Sequence, residues 1–375
     1  MSARVVLCRS NPVAPDPRVE KAARALHAAG YAVQIVAWDR TASLPTPEVR
    51  PEFVIHRLAL PAGFGRGWRN LGPLLRWQWR LGRWLWAHRR SFDIIHACDF
   101  DTIWPALWCR WWCGKRVVYD IFDFYADHAR LPAAWLRAVV RRLEWWAAAR
   151  ADGVILADEV RRAQLGPTRL RHWTVVYNTP EDQKGRLAFE PSPAGRLRLA
   201  YVGLLQAGRG LETVLTVLRR HPEWHLDLAG FGADATHWQA LAQALPNVTW
   251  HGRVPYDTAL ALNARADVLL ALYDPSVPNH RYASPNKLFE AMMLGKPVLV
   301  AADTHIDEVV QRWQCGLVVP YGQPQALEQA LALLASQPEL RRRLGQHARR
   351  AYEEHFGWAQ MAQRLRALYQ AIETA

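Results

Sequence analysis

Two charged residues stand where an apolar helix should begin. In SPNKLFEAMMLGKPVLVA (Ser284 to Ala301), Lys287 and Glu290 are three positions apart, in a segment that otherwise reads as buried helix feeding buried strand. Three residues is about one helical turn, so the two side chains share a side. A lysine in a first turn opposes the helix dipole and costs roughly a few tenths of a kcal/mol. An anionic ligand would reverse that sign. A carboxylate one turn along can accept two hydroxyl hydrogen bonds, the pair a ribose diol offers. Pro285 suits a first turn, and Ser284 can cap it. Two plainer explanations compete: a solvated surface lysine, and a helix-start acid that offsets the dipole.

YVGLLQAGRGLETVL, from Tyr201, adds a strand, a glycine-marked loop and a helix. Gly203, Gly208 and Gly210 let the backbone approach a ligand closely. The helix N-terminus offers free N–H groups to an anion, and Arg209 in the loop can add a bidentate phosphate contact. An ordinary turn explains this motif equally well when it is taken alone.

The first half holds weaker candidates. Asp99 and Asp101 form a D-x-D after a strand, which reads either as a metal pair or as turn chemistry. Turn chemistry is favoured, with Asp99 lining an acceptor pocket as an intermediate reading. Asp123 either orients a hydroxyl or ends a strand. His96 reads as a packed strand histidine. Arg18, after a Pro-Asp-Pro turn, either holds an acceptor phosphate or lies on the surface. In Pro73–Arg90, Arg76, Arg80 and Arg83 share one helical face, while Trp77, Leu81, Trp84 and Leu85 share another. A second basic, tryptophan-rich segment follows at Ala134–Trp146. Such helices suit an anionic membrane interface; tryptophans packed in the domain core beneath solvated arginines are the commoner case for one helix, and two such helices with the basic charge of the first half favour the membrane. The same composition can bind nucleic acid, but no nucleic-acid module is recognisable, so no nucleic-acid partner is expected.

Alternating strand and helix patterns position these residues. RVVLCRS, YAVQIVAW, FDIIHAC, KRVVYDIF and DGVILAD read as strands with helices between them, which predicts a parallel sheet. The pattern lapses over 179–196, read as a linker, and restarts with LRLAYVG, WHLDLAGFG, NVTWHGRV, ADVLLALY and KPVLVA. The chain from Gln323 onward reads as helical. The expected fold is α/β: two Rossmann-like domains, 1–178 and 197–355, with a cleft between them, and a last helix over 356–375 that crosses back to the first domain. Ligands of such sheets bind at the carboxyl ends of the strands.

Composition bounds the rest. The chain has 375 residues, half of them hydrophobic, enough for two cores. Residues 1–190 carry 29 Lys and Arg against 18 Asp and Glu, net +11, and 14 of the 19 Trp. The first half is therefore expected to meet something anionic and partly apolar. Five Cys with neither C-x-x-C nor a ligand cluster around Cys109 and Cys113 fit a reduced, cytoplasmic protein without a zinc site. No run approaches the roughly 18 apolar residues of a membrane span, and the short apolar run at the N-terminus is no signal-peptide core.

SPNKLFEAMMLGKPVLVA resembles the donor-site signature of the family 4 glycosyltransferases of the GT-B fold. DPRVEKAARALHAAGYAV, DIIHACD, VVYDIFD, VVYNTP, YVGLLQAGRGLETVL and FGW resemble further segments of that family, in its order. The resemblance implies sugar transfer from a nucleotide sugar, with retention of configuration and with neither metal nor cofactor. It implies that Glu290 holds the donor ribose. Arg209 and Lys287 would neutralise the diphosphate over Gly203. Tyr282, Ser284, Pro285 and Asn286 would face phosphate and sugar, and the backbone at Arg253 and Val254 the base. Asp123 would act in catalysis, with Arg18 and Asp99 on the acceptor side. The sequence departs from the family's pattern at Tyr282, where a Glu is usual, at Leu204, where an Arg is usual, and at Arg209, which replaces a Lys. In YDIFD, Phe122 replaces a His and Asp123 a Glu. The expected acceptor is lipid-linked or an envelope glycan, met at the inner membrane surface. The rival expectations are a catalytically silent relative and a soluble transferase acting on a small metabolite.

Overall fold

The computed structural model describes residues 3–63, 71–128, 133–187, 192–232 and 234–374. The chain divides into two compact units, Met1–Tyr177 with Met361–Ala375, and Asn178–Gln360. The segment read as a linker falls within the second unit.

The first unit opens with β1 (Arg4–Arg9), α1 (Pro17–Ala28), β2 (Ala32–Asp39), β3 (Glu48–Val49), β4 (Phe53–Ala59) and α2 (Leu71–Ala87). It continues with β5 (Ile94–Cys98), α3 (Phe100–Cys113), β6 (Arg116–Ile121), α4 (Tyr125–His128), α5 (Ala134–Arg150), β7 (Gly153–Leu156) and β8 (His172–Val175). Among the described residues the sheet order is β3-β4-β2-β1-β5-β6-β7-β8, parallel throughout except for the β3–β4 pair. Local chemistry starts α1. Asp16 accepts from the Val19 amide, Glu20 reaches back to the Asp16 amide at 3.1 Å, and Pro17 sits at the first helical position. That is a reciprocal cap.

The second unit runs β9 (Leu197–Leu204), α6 (Leu211–Leu218), β10 (Trp224–Phe231), α7 (Ala235–Gln243), β11 (Val248–Gly252), α8 (Tyr256–Arg265) and β12 (Val268–Ala271). Then come α9 (Asn286–Leu294), β13 (Val298–Ala301), α10 (Ile306–Trp313), β14 (Gly316–Val319), α11 (Pro324–Ser336) and α12 (Pro338–Ala351). Its sheet is all parallel, in the order β11-β10-β9-β12-β13-β14. Buried Leu, Val and Trp side chains of these strands, with α6 and α11, form its core. The last helix, α13 (Trp358–Thr374), lies mostly in the first unit. There the Tyr369 hydroxyl meets His96 Nδ1 at 2.8 Å, and the Tyr31 hydroxyl donates to Glu373 at 2.9 Å.

One expectation is corrected. Trp77, Leu81 and Leu85 of α2 are fully buried, and Trp77 stacks on Trp38 at 5.3 Å. This face packs into the domain core, because a helix covering a parallel sheet must bury its apolar stripe there. Arg76, Arg80 and Arg83 are exposed as expected.

Backbone contact between β9 and β10 demands glycine. A Cβ on Gly230 would lie 2.0 Å from the Gly203 carbonyl oxygen. Gly230→Ala therefore forces the two strands apart, and denaturant unfolding should show a loss of at least about 2 kcal/mol. An unchanged midpoint would mean that the strand ends yield freely.

Candidate functional site

In each unit the sheet order reverses once. In the second unit this happens between β9 and β12, whose following connections leave in opposite directions in the sheet. Ligands of open α/β sheets bind at such a switch point, beyond the carboxyl ends of the strands. The two loops that flank it are Leu205–Gly210, after β9, and Leu272–Pro285, after β12. They are tied together: the Asp274 amide donates to the Gly208 carbonyl at 3.1 Å. These loops carry Arg209, Tyr282 and Ser284, and Lys287 and Glu290 follow on α9.

Lys287 is buried, only 9% exposed, with its Nζ 3.2 Å from the centroid of the Tyr201 ring. A Cβ on Gly203 would meet the lysine Cε at 3.0 Å, and Gly203 has φ +151°. Glycine is needed there twice, for the backbone angle and for room. Burial, and then the nearby Arg209, hold the Lys287 pKa well below the ordinary lysine value, against the opposing pull of Glu290. Arg209 lies over the Tyr273 ring at 4.4 Å, and its Nε is buried without a hydrogen-bond partner. The two cations crowd each other at the switch point, and Glu290 is the carboxylate set against them.

Glu290 is 7% exposed and accepts from Asn263 Nδ2 of α8 at 2.9 Å. The Tyr256 hydroxyl also bonds to it, and burial together with this carboxylate raises the tyrosine pKa. Neither plain explanation survives: Lys287 is not a solvated lysine, and Glu290 is not an exposed first-turn acid. Ser284 does not cap α9. Pro285 occupies the cap position without a side-chain bond, and Ser284 Oγ is buried with no partner. Asn286 is exposed at the helix start, and Tyr282 is half-buried. Arg253 is exposed over Phe231 at 5.0 Å, with Val254 half-buried beside it, both after β11 at the same sheet edge.

His280 was not singled out by the sequence reading. It is 7% exposed and packs edge-on to Tyr273 at 5.4 Å, and its Nδ1 lies 3.0 Å from the Asp274 carbonyl. Burial, and then Arg209, lower its pKa, which favours a neutral ring. Asn263 also escaped; a polar residue on the buried side of ALALNAR was its only signal.

In the first unit the reversal lies between β1 and β5. Arg9, at the end of β1, bonds Asp16 at 2.9 Å and forms a short ion pair with Asp99. Asp99, in a left-handed conformation at φ +68°, also accepts from the Phe122 amide at 2.9 Å. Burial raises the Asp99 pKa to about 7 against Arg9, with Asp101 and Asp123 adding to the rise. Arg18 is buried, donating to Asp120 at 2.7 Å and to the Val176 carbonyl at 2.8 Å. Its guanidinium and that of Arg9 both lie against the Phe122 ring, at 4.4 and 4.3 Å. His96 joins Asp120 at 3.3 Å and stays a packed strand residue. Asp123 is half-exposed and bonded to Arg161 at 2.8 Å. Among the described residues no group of three or more His, Cys, Asp or Glu could hold a metal ion.

The buried ammonium weighs on the unliganded fold. Between the lowered native pKa of Lys287 and the ordinary value of the unfolded chain, the unfolded state binds the extra proton, so stability rises with pH across that window. Lys287→Met should remove this dependence and raise Tm at neutral pH by about 2–4 °C, the shift that ~1 kcal/mol produces in a unit of this size. Calorimetry over a pH series checks both, and a Tm that falls would show that the lysine stabilises the empty site.

Residues 14–180 match the model for glycosyl transferase 4-like domains, and residues 186–351 that for glycosyl transferases group 1. The D-rhamnosyltransferase WbpZ of Pseudomonas aeruginosa is 28% identical over 182 residues, 47% of this chain and 46% of that protein. The chain spans about half the length of the curated relatives it matches. Sucrose-phosphate synthase from Thermosynechococcus elongatus superposes with a TM-score of 0.79 over 99% of both chains, at 18% identity. HepE of Anabaena, solved with UDP and glucose, gives 0.72 over 100% of both chains, at 15% identity. The two family models leave only residues 1–13, 181–185 and 352–375 unmatched. With two parallel-sheet α/β units and both glycosyltransferase domains in order, the chain belongs to the GT-B glycosyltransferases.

Proposed function

We propose that the chain is a retaining, metal-independent transferase that moves a sugar from a nucleoside diphosphate sugar to a lipid-linked or envelope glycan acceptor. The observation that carries this is the pair of cations at the second unit's switch point, Lys287 buried and Arg209 with an unpartnered Nε. A diphosphate there would satisfy both, and would favour the charged form of Lys287. Breaking the anomeric C–O bond moves negative charge onto the diphosphate. Cations fixed beforehand in a poorly hydrated place stabilise that change most. They also provide the charge for which other transferases use a metal. Glu290, positioned by Asn263, would take the ribose hydroxyls with its remaining lone pairs. Gly203 leaves room beneath the diphosphate, the α9 start and the Tyr282–Asn286 segment offer polar groups, and the Arg253–Val254 backbone would meet the base. That HepE was solved with UDP and glucose supports the choice of ligand class.

Retention is supported by the state of the first unit's acids. Asp99 and Asp123 are each engaged by an arginine, Arg9 and Arg161. In a same-face transfer the departing phosphate oxygen takes the acceptor proton, so neither acid must act as a free base. Asp123 would orient the reacting groups and Asp99 would help shape the acceptor pocket. Arg18 would act through Asp120 and Phe122 rather than by gripping a phosphate itself. The net charge of +11 over residues 1–190 supports an acceptor at an anionic surface, with the protein cytoplasmic and peripheral on the inner membrane. Among the described residues no helix is long and apolar enough to cross a membrane.

Three outcomes are expected. Glu290→Gln weakens nucleoside diphosphate binding about 10- to 150-fold by calorimetry, the equivalent of ~1.5–3 kcal/mol in charge-assisted hydrogen bonds. Arg209→Ala and Lys287→Ala lower turnover at saturating donor more than they raise KM; unaltered turnover in both would place the diphosphate elsewhere. Excess EDTA leaves turnover intact, and its loss with rescue by manganese would instead assign a metal to Asp99 and Asp101.

A further inference from the structure

The first unit carries an aromatic surface that its core does not use. Helices α2, α3 and α5 pack side by side, α2 on α3 and α3 on α5. On α2, Trp79 and Trp86 are exposed; on α3, Trp108, Trp111 and Trp112; on α5, Trp135 and Trp146. Trp112 and Trp135 are each 69% exposed, far beyond what a tryptophan in an ordinary domain surface shows. The rings link the helices: Trp86 meets Trp108 at 5.5 Å, and Trp111 meets Trp146 at 5.6 Å.

The charges around these rings have one sign. Arg76, Arg83, Arg137 and Arg142 are exposed on α2 and α5. The three helices contain two acids, Asp101 and Glu144, and both are buried. At the margin, Asp127 and Asp152 are already paired with Arg141 and Arg110. Exposed aromatic rings gathered on neighbouring helices mark an interaction site. A second copy of the chain would set arginine against arginine. Single-stranded nucleic acid would need open ring faces for stacking, yet Arg83, Arg89 and Arg150 lie over Trp79, Trp86 and Trp146 at 5.5, 4.8 and 4.5 Å. Exposed indoles amid arginines, with no acid among them, match the headgroup layer of an anionic bilayer.

We propose that the α2–α3–α5 face docks the first unit on an anionic lipid surface. The residues that do this are not the Trp77–Leu85 stripe, which is core, but the tryptophans on the opposite side of the same layer. This rests on the lipid-linked acceptor reading and gives it a surface. Helix α5 also connects that surface to the proposed acceptor loop. Its buried Glu144 accepts from the Tyr125 and Ala126 amides, at 2.6 and 3.2 Å, just beyond Asp123.

The test is co-sedimentation of the full chain with vesicles of phosphatidylcholine alone or with phosphatidylglycerol added, at low and high salt. Nucleoside diphosphate affinity is measured on every sample. Wild type should sediment with the anionic vesicles, leave the neutral ones, and be partly released by salt. Arg137→Gln with Arg142→Gln should weaken low-salt binding by about fivefold for each arginine removed. Trp112→Ser with Trp135→Ser should remove the salt-resistant share, and both double variants should keep their Tm and nucleotide affinity. Wild type staying in the supernatant at low salt overturns the proposal, as does displacement from vesicles by a DNA oligonucleotide, or a solution dimer abolished by the tryptophan pair. Vesicle binding without nucleotide binding leaves docking standing and removes the donor reading instead.

Discussion

A lysine ammonium held out of water governs the second unit. Lys287 lies against the Tyr201 ring and beneath the Gly203 backbone, with Arg209 nearby and Glu290 one turn away. A Cβ at 203 would press on it, and the ring at 201 covers it. The unit tolerates the cost because α9 is otherwise a core helix: all of Leu288, Phe289, Ala291, Met292 and Met293 are buried. Apolar packing fixes the helix, and the helix then holds one cation where solvation cannot compete with a ligand.

The two units treat the same topological position in opposite ways. In the first, the cations at the reversal of strand order are neutralised internally: Arg9 by Asp16 and Asp99, Arg18 by Asp120. In the second, two cations share the neighbourhood of one carboxylate, which Asn263 and Tyr256 already engage. The difference lies in the side chains, since both sheets are parallel at the reversal.

The strands of both sheets were readable where they form continuous apolar runs, as in RVVLCRS and ADVLLALY, because parallel strands are covered on both faces. Strand β4, FVIHRLA, escaped because one of its inward positions is a buried arginine, Arg57, and β14 because it offers only Leu317, Val318 and Val319 after a glycine. The donor-side candidates were found through a local contradiction, a lysine where a helix prefers an acid. Arg9, Asn263 and His280 carried no such contradiction. Arg9 and Asn263 become notable only through partners distant in sequence, Asp99 and Glu290, and His280 only through its packing on Tyr273. The tryptophans of α2 misled for a related reason: composition marked the helix, while only the sheet beneath decides which stripe is buried.

Helix α13 gives the chain an order in time. The second unit is inserted between β8 and α13 of the first. During synthesis His96 is made with β5, yet the hydroxyl that meets its ring belongs to Tyr369, 273 residues later. The Tyr31 hydroxyl likewise waits for Glu373, and the Tyr177 amide for the Met361 sulfur. Units that emerge from the ribosome tend to fold as they become complete, so the second can close while the first still lacks a layer over its central strands. Residues 361–374, made after the whole second unit, complete the unit that precedes it.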